Sequence, residues 1–448
     1  MKKEIVILGG GFAGTTLLRQ IQRRFKDSSD INISLVGDDN FFLFTPMLPE
    51  VASGMLHAGD VSTPIRLFCK YAQFYHARAT SVDFNKKQIN IVRIFDEKKI
   101  TLQYDYLVFT LGSIDNFFGN ENMRKYSFTI KTLEDSLAIR NHVISMLESA
   151  DNESNIEFQD ELSNFVVIGG GFAGVEIASE INHLVQNASK TYYKNIDRTK
   201  LKVILISARD GILPEVGEEL GKFALDSIRN DGIQVITNTK ALDAGEDFII
   251  LDDKNKTKIK CGTLIWAGGV KTDPLVASLG CEHDSSGRII VDEFLRVKNH
   301  ENVYALGDCA YMIDKSKEIP YPPTAQIAIK AGKITAKNII NQITKKDNKA
   351  ILEPFTYHNK GIMATIGKRN AVALIGGKKI HGVLAWILWR FFYLSNLPTN
   401  EKKVRVALEW FLDVFFKHSD ILTVGIIKHK IAEDDSEYDD DGYASQRL

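Results

Sequence analysis

The hexapeptide Gly9-Gly10-Gly11-Phe12-Ala13-Gly14 follows the apolar run Glu4 to Leu8 (EIVIL) and precedes a helix-like stretch, Thr15 to Phe25. After a polar turn at Lys26 to Asp30, the apolar run Ile31 to Val36 completes a strand-helix-strand unit. In the spacing GxGxxG the first glycine permits a tight turn and the second lets a pyrophosphate approach the backbone. The third lets helix and strand pack closely, and the positive helix end holds the phosphates. The same six residues return at Gly169-Gly170-Gly171-Phe172-Ala173-Gly174. They follow Phe165 to Ile168 and precede a helix pattern, Val175 to Leu184, and a strand, Leu201 to Ile206. Two identical copies in the same context predict two dinucleotide folds and two bound nucleotides.

Further strands are expected at Tyr106 to Thr110, running into Leu111-Gly112-Ser113, and at Thr263 to Ala267, running into Gly268-Gly269. Glu301 to Ala310 (ENVYALGDCA) offers another strand and a Gly307-Asp308 turn. Pro322-Pro323 ahead of Thr324-Ala325-Gln326 marks a helix start, because proline is tolerated in the first turn. The polar, acidic stretch Asp151 to Asp160 reads as loop.

The length of 448 residues suggests about three domains. With 44% hydrophobic and 25% charged residues the chain is not disordered over most of its length. Its 56 Lys and Arg against 57 Asp and Glu leave a net charge of −1, so no nucleic-acid partner is expected. Cys69, Cys261, Cys281 and Cys309 are scattered without metal-ligand spacing, which predicts neither a disulfide framework nor a metal site and suits a reducing, cytoplasmic compartment. The first apolar run is too short for a signal peptide. The longest, Val383 to Leu394, contains Arg390 and is too short to span a bilayer.

The C-terminal part differs in character. Gly376 to Ile431 carries nine Lys or Arg and four Asp or Glu, and it holds Trp386, Trp389 and Trp410. Over Glu401 to Lys417 the residues Lys402, Arg405, Glu409, Asp413 and Lys417 form one narrow polar stripe, with Arg405 and Glu409 spaced to pair. Val404, Leu408, Trp410, Phe411, Phe415 and Phe416 fill the apolar remainder. A basic, aromatic, wide-faced amphipathic helix predicts an interfacial membrane anchor, the alternative being a helix packed on the protein's own core or on a dimer partner. Glu433 to Asp441 holds seven acids and reads as a solvated, disordered tail.

The run NVYALGDCA resembles the second flavin-binding motif of the two-dinucleotide-fold flavoprotein reductases, in which the Asp carboxylate binds a ribityl hydroxyl of FAD. That resemblance assigns FAD to the Gly9 fold and a nicotinamide nucleotide to the Gly169 fold. Many members of that superfamily reduce a cysteine pair just after the first unit, but here Phe41 to Gly54 (FFLFTPMLPEVASG) has no cysteine. A dithiol reductase is excluded. Sulfide:quinone reductases also need cysteines near the flavin, and four scattered ones do not suit them. Taken in order, GGGFAG, FFLFTPMLPEVASG, PIRLF, GGGFAGVE, ILPE, ALGDCA, PPTAQIA, YHNKGIMATIG and GVLAWILWRFF resemble the type II, single-subunit, non-pumping NADH:quinone oxidoreductases over nearly the whole chain.

The resemblance implies that FAD takes a hydride from NADH and then reduces a membrane quinone. It places Gly9, Gly11, Phe12, Ala13, Gly14, Asp38, Thr45, Pro46, Gly112, Asp308, Ala325 and Gln326 at the FAD. Gly169, Gly171, Phe172, Ala173, Gly174, Glu176, Ser207, Arg209 and Gly268 fall at the nicotinamide nucleotide. Glu176, near the reacting rings, Gln326, which with Ala325 lines the quinone end, and Lys330 are the expected catalytic residues. A homodimer, attached peripherally to the cytoplasmic face of the membrane, also follows from it.

Three positions depart from the family pattern. Lys330 stands where a second glutamine often follows Gln326 by four residues, and is either a cationic head in the quinone tunnel or a surface lysine. Ser207 replaces the acid that ends the second strand of an NADH site, with Arg209 two residues on, which opens the site to NADPH. Gly37 takes the place of the corresponding acid in the FAD fold, and Asp38 is either its substitute or a turn residue.

The expected fold is α/β, with two Rossmann-like dinucleotide-binding domains in a glutathione-reductase-like FAD/NAD(P) arrangement and a C-terminal amphipathic helical membrane-binding region. The FAD domain is expected at 1–120 and 291–377, the NAD(P)H domain at 121–290, the membrane-anchoring region at 378–431 and the acidic tail at 432–448. Two rival functions remain: a soluble NAD(P)H-dependent reductase of a protein electron carrier, and a flavoprotein of the apoptosis-inducing-factor type whose redox state controls binding.

Overall fold

The computed structural model describes residues 2–315, 317–345, 352–359, 361–415 and 421–423. The acidic tail, Phe416 and Lys417 lie outside them. From the N-terminus, β1 (Lys3–Leu8), α1 (Phe12–Phe25) and β2 (Ile31–Gly37) form the first strand-helix-strand unit. β3 (Gln73–Asp83), β4 (Gln88–Arg93), β5 (Lys99–Gln103) and β6 (Tyr106–Phe109) follow. Ile5 to Leu8 are buried in unbroken succession, as expected for a parallel strand covered on both faces.

The second unit begins at β7 (Phe128–Thr129) and continues through β8 (Asn164–Ile168), α2 (Phe172–Thr191), β9 (Lys202–Ile206), β10 (Gln234–Ile236) and β11 (Thr263–Trp266). These strands make a parallel sheet in the order β7-β11-β8-β9-β10. The chain then returns to the first sheet, where β12 (Val303–Ala305) pairs in parallel with β6. That completes the order β12-β6-β1-β2-β3-β4-β5. Between the two sheets the connecting segments pair with each other, Ser113–Asp115 lying antiparallel to Val270–Thr272.

After β12, Thr324 caps α3 (Ala325–Thr344) by accepting the Ile327 N–H on its hydroxyl. α3 packs across α1 at Gly332, where an added Cβ would lie 2.7 Å from the Ala13 carbonyl oxygen. A meander of β13 (Ile362–Thr365), β14 (Ala371–Ile375) and β15 (Lys378–His381) leads to α4 (Gly382–Asn396) and α5 (Asn400–Phe415). Trp389 and Trp410 are buried between these helices with ring centroids 6.0 Å apart, while Val383, Leu384, Ile387 and Phe391 of α4 and Val404, Leu408, Phe411 and Phe415 of α5 face outward. Among the described residues no helix is long and apolar enough to cross a membrane.

Several local expectations need correction. Asp151 to Asp160 is mostly helical: one helix runs Leu133–Asn152, and another, Ile156–Leu162, starts at Asn155, whose side chain accepts the Glu157 and Phe158 N–H groups. The acidic composition hid a capped helix whose first-turn Glu157 is favoured by the helix dipole. α1 and α2 begin at Phe12 and Phe172, inside the glycine motifs. Arg405 pairs with Glu401 at 3.1 Å instead of Glu409, the better order because the acid is N-terminal in the i, i+4 pair. Trp410 belongs to the interior, and the polar stripe of α5 turns partly toward the protein, with Asp413 3.8 Å from Arg390.

Gly332→Val should force α1 and α3 apart and lower stability by about 1–3 kcal/mol, seen as a lower melting temperature of the flavin-loaded protein. Unchanged melting would mean that the crossing is not close.

Candidate active site

The two glycine turns use their glycines for different reasons, and the surroundings separate them. Gly9 has φ +106°, and a Cβ there would lie 2.3 Å from the Thr110 carbonyl oxygen; at Gly169 (φ +127°) it would lie 2.3 Å from that of Ala267. Gly14 and Gly174 pass so close to Gly9 and Gly169 that a Cβ would come within 2.0 and 1.8 Å of their carbonyl oxygens. Gly11 and Gly171 have nothing within 4 Å. No protein atom demands a glycine at those two positions, so the open space in front of them suits the approach of a pyrophosphate. Gly11 and Gly171 are also the N-caps of α1 and α2 and carry no capping side chain, which leaves first-turn N–H groups for an anion.

Both turns open on one cavity of about 700 Å³ at the C-terminal ends of the two sheets, the place where open α/β sheets bind ligands. Of the residues singled out in the sequence, Gly11, Phe12, Ala13, Thr45, Pro46, Gly112, Asp308, Ala325 and Gln326 line its first half and Phe172, Ala173 and Glu176 its second. Gly9, Gly14, Gly169 and Gly174 shape the turns from behind. Gly268 packs on the Trp266 ring and its neighbour Gly269 does the lining. Asp38, just past β2, is exposed and 3.5 Å from Arg78, and Lys330 is not among the lining residues.

Asp308 accepts a hydrogen bond from the Ser113 hydroxyl (2.9 Å), which in turn accepts one from the Lys131 ammonium (2.6 Å). Burial lowers the Lys131 pKa, while Asp308 and Asp115 oppose the shift. Sequence reasoning missed Lys131. Its signal was a lysine between the apolar Ile130 and the capping box opened by Thr132. Gln326 is held at both ends, its oxygen accepting the Tyr357 hydroxyl (2.7 Å) and its nitrogen donating to the Gly361 carbonyl (3.3 Å).

Glu176 sits on α2 at the cavity edge, 8% exposed, and one oxygen accepts the Thr365 N–H at 3.1 Å. Burial pushes its pKa up to about 8 against the bond from Thr365, and the charge of Glu180 adds to the rise. Glu180, one turn on, is pushed up to about 7, chiefly by burial, although Ser53 donates to it at 2.6 Å. Glu50 completes the group: buried, with its pKa well above the usual range, opposed mainly by Arg390. Burial lowers the Arg390 pKa while Glu50, Asp413 and Glu180 hold the guanidinium charged. The indole nitrogens of Trp410 and Trp389 are buried beside Glu50 and Glu176 and oppose the rise in each. No sequence spacing announced this cluster, because Glu50, Glu180 and Arg390 come from three distant segments.

No cysteine lines the cavity. Cys309 is fully buried behind the Asp308 turn with its thiol pushed up to about 12, and Cys281 is pushed up to about 11, burial being the main cause in both. Thiolate chemistry at this site is thereby disfavoured. Among the described residues no group of acids, histidines and cysteines is arranged to hold a metal ion.

Gly171→Ala should weaken dinucleotide binding by roughly one to two orders of magnitude in Kd with little change in melting temperature, whereas Gly174→Ala should lower the melting temperature itself. Equal effects of the two on melting would refute the division of roles. Between pH 5 and 8 an unfolded chain has lost carboxyl protons that Glu176 and Glu180 keep when folded, so the folded state binds more protons and stability falls as pH rises. Glu180→Gln should flatten that fall and melt higher than the parent at pH 8; an unchanged slope in the melting curves would count against a buried proton on Glu180.

Comparison with known proteins agrees with this geometry. Residues 3–332 match the family model for pyridine nucleotide-disulphide oxidoreductases, and residues 359–418 match the NDH2 C-terminal domain. The chain is 31% identical to a probable NADH dehydrogenase of Dictyostelium discoideum, over 92% of this chain and 90% of that one. It is 29% identical to the type II NADH:quinone oxidoreductase NdhA of Mycobacterium tuberculosis, over 91% and 86%. In fold it resembles the structure of NDH2 from Plasmodium falciparum in complex with NADH, with a TM-score of 0.85 at 23% identity, covering 93% of this chain and 99% of that one. The chain therefore belongs to the pyridine nucleotide-disulphide oxidoreductase family and, within it, to the type II NADH:quinone oxidoreductases.

Proposed function

We propose that this protein is a peripheral membrane NADH:quinone oxidoreductase that uses FAD. The observation that carries this reading is the single cavity, which joins the ends of both dinucleotide sheets and continues to Phe392, Tyr393 and Asn396 of α4 without meeting a thiol. When bound, FAD would supply hydride acceptance from the nicotinamide and two-electron delivery to the quinone.

The chain's own part is to hold, orient and supply protons. The first turn of α1 would bind the FAD pyrophosphate through Phe12 and Ala13, and Asp308, fixed by Ser113, would take a ribityl hydroxyl. Phe172 and Ala173 would serve the nicotinamide nucleotide in the same way. α3 points its N-terminus, at Ala325, into the cavity, where the helix dipole stabilises negative charge on a reduced ring. Glu176, protonated at neutral pH, stands at the cavity edge as a proton source for a two-electron, two-proton acceptor. Gln326 is pinned by Tyr357 and Gly361 and orients whatever lies beside it. We assign FAD to residues 1–120 and 291–377, NADH to 121–290 and membrane contact to 378–431.

The outward apolar faces of α4 and α5 supply the membrane contact. Beside their connecting turn, a cleft of about 380 Å³ gathers Arg19, Arg23 and Lys333 with Asn396 and Pro398, cations suited to anionic headgroups. The four free thiols suit a reducing compartment, hence the cytoplasmic face. We also take the enzyme to be a homodimer, as its family resemblance implies.

The deciding experiment is anaerobic stopped flow in detergent, following flavin bleaching by NADH and reoxidation by a short-chain quinone. Fast bleaching followed by fast reoxidation is expected; fast bleaching with sluggish reoxidation would overturn the quinone assignment in favour of a protein carrier. Replacing Phe391 and Phe411 together by Glu should reduce vesicle binding at least about tenfold while turnover of the short-chain quinone persists. Undiminished cosedimentation with vesicles would rule out this face as the anchor.

A further inference from the structure

Ser207 is the first residue past β9, where an acidic side chain would bond both adenosine ribose hydroxyls and repel a 2′-phosphate. The structure fixes its position closely. A Cβ on Gly170 would lie 2.5 Å from the Ser207 hydroxyl, so Ser207 lies directly under the second glycine turn. It is 1% exposed, and its hydroxyl donates to the Gly211 carbonyl at 2.8 Å while accepting the Arg209 N–H at 3.2 Å. Ser207 therefore closes the 207–211 turn, buried beneath it and without the carboxylate that would grip both ribose hydroxyls. The next residue of the glycine turn's wall is held as well, Leu213 N–H donating to the Gly170 carbonyl at 2.8 Å.

What this turn presents is Arg209. Its carbonyl is anchored by the Asn238 N–H at 2.8 Å, its side chain is exposed, and among the described residues its guanidinium makes no ion pair. The neighbouring acid, Asp210, accepts a bond from the Asn238 side chain at 2.9 Å. A free guanidinium on a braced turn, with no carboxylate at the ribose position, is matched to a phosphate dianion through paired N–H donors.

We propose that the nucleotide site takes NADPH at least as well as NADH, with Arg209 holding the 2′-phosphate. The proposal rests on the reading that the Gly169 half binds a reduced nicotinamide dinucleotide, and it changes which one. Without a carboxylate, NADH loses the partner of its ribose hydroxyls, while the extra phosphate of NADPH gains one.

The test uses the FAD-loaded, full-length protein. Titration calorimetry with 2′,5′-ADP and with 5′-AMP, which differ only in the 2′-phosphate, reads the subsite without turnover, and kcat/KM for NADPH and NADH reads it in the reaction. The wild type should bind 2′,5′-ADP more tightly than 5′-AMP and oxidise NADPH with at least the kcat/KM of NADH. Arg209→Ala should lower kcat/KM for NADPH roughly ten- to hundredfold, a larger loss than for NADH; Arg209→Glu should abolish the preference for the 2′-phosphorylated nucleotide. Equal binding of the two adenine nucleotides by the wild type, or equal losses for NADPH and NADH in Arg209→Ala, would overturn the proposal. Should neither dinucleotide bleach the flavin, the oxidoreductase reading fails, yet tight 2′,5′-ADP binding lost in Arg209→Glu would still uphold the phosphate subsite.

Discussion

The structure depends on the approach of a helix to the strand before it, made possible by a missing side chain. Gly14 over Gly9 and Gly174 over Gly169 bring α1 and α2 so near β1 and β8 that any Cβ would collide with a carbonyl oxygen. That contact aims the first turn of each helix along the sheet edge and leaves its N–H groups facing the cavity. The Gly332 crossing extends the same device to α3, whose N-terminus enters the cavity from another side. Three helix N-termini thus converge on one space, and their dipoles make it hospitable to phosphates and to a reduced flavin ring.

Charge is handled in opposite ways on the two sides of that space. Near Asp308 the chain keeps a paired network, with Ser113 between the carboxylate and Lys131. Near Glu176 it buries acids, and burial raises the carboxyls of Glu176, Glu180 and Glu50; Thr365 opposes the rise at Glu176, Ser53 and then Arg390 at Glu180, and Arg390 at Glu50. The first arrangement holds a ligand in place. The second stores protons where a quinone, unlike a thiol pair in a cavity without cysteine, has use for them.

The C-terminal helices illustrate why a polar stripe does not reveal its own direction. Hydropathy alone made α5 a helix with one polar edge and a broad apolar face, which is what the structure has. Burial then divided that apolar face: Val406 and Trp410 went inward against Trp389, while Leu408, Phe411 and Phe415 stayed outside. Asp413 turned to Arg390 because a guanidinium already sat in the interior. The partner of a side chain was decided by a helix elsewhere in the chain.

By itself the sequence determined the two dinucleotide folds, their order, the return of the chain to the first sheet and the family, because glycine spacing and strand-turn-helix order are local and follow from backbone sterics. It likewise shows no cysteine over Phe41 to Gly54, whereas only the structure decided that Cys281 and Cys309 stay off the cavity wall. Only the tertiary structure decided that Lys131 belongs to the Asp308 network, that Glu50 and Glu180 share the surroundings of Glu176, and that Lys330 stays off the cavity wall. The capped helix at Ile156–Leu162 and the Glu401 partner of Arg405 were local signals passed over. The buried cluster had no local signal, because desolvation depends on what packs around a carboxyl, and those atoms come from segments hundreds of residues apart.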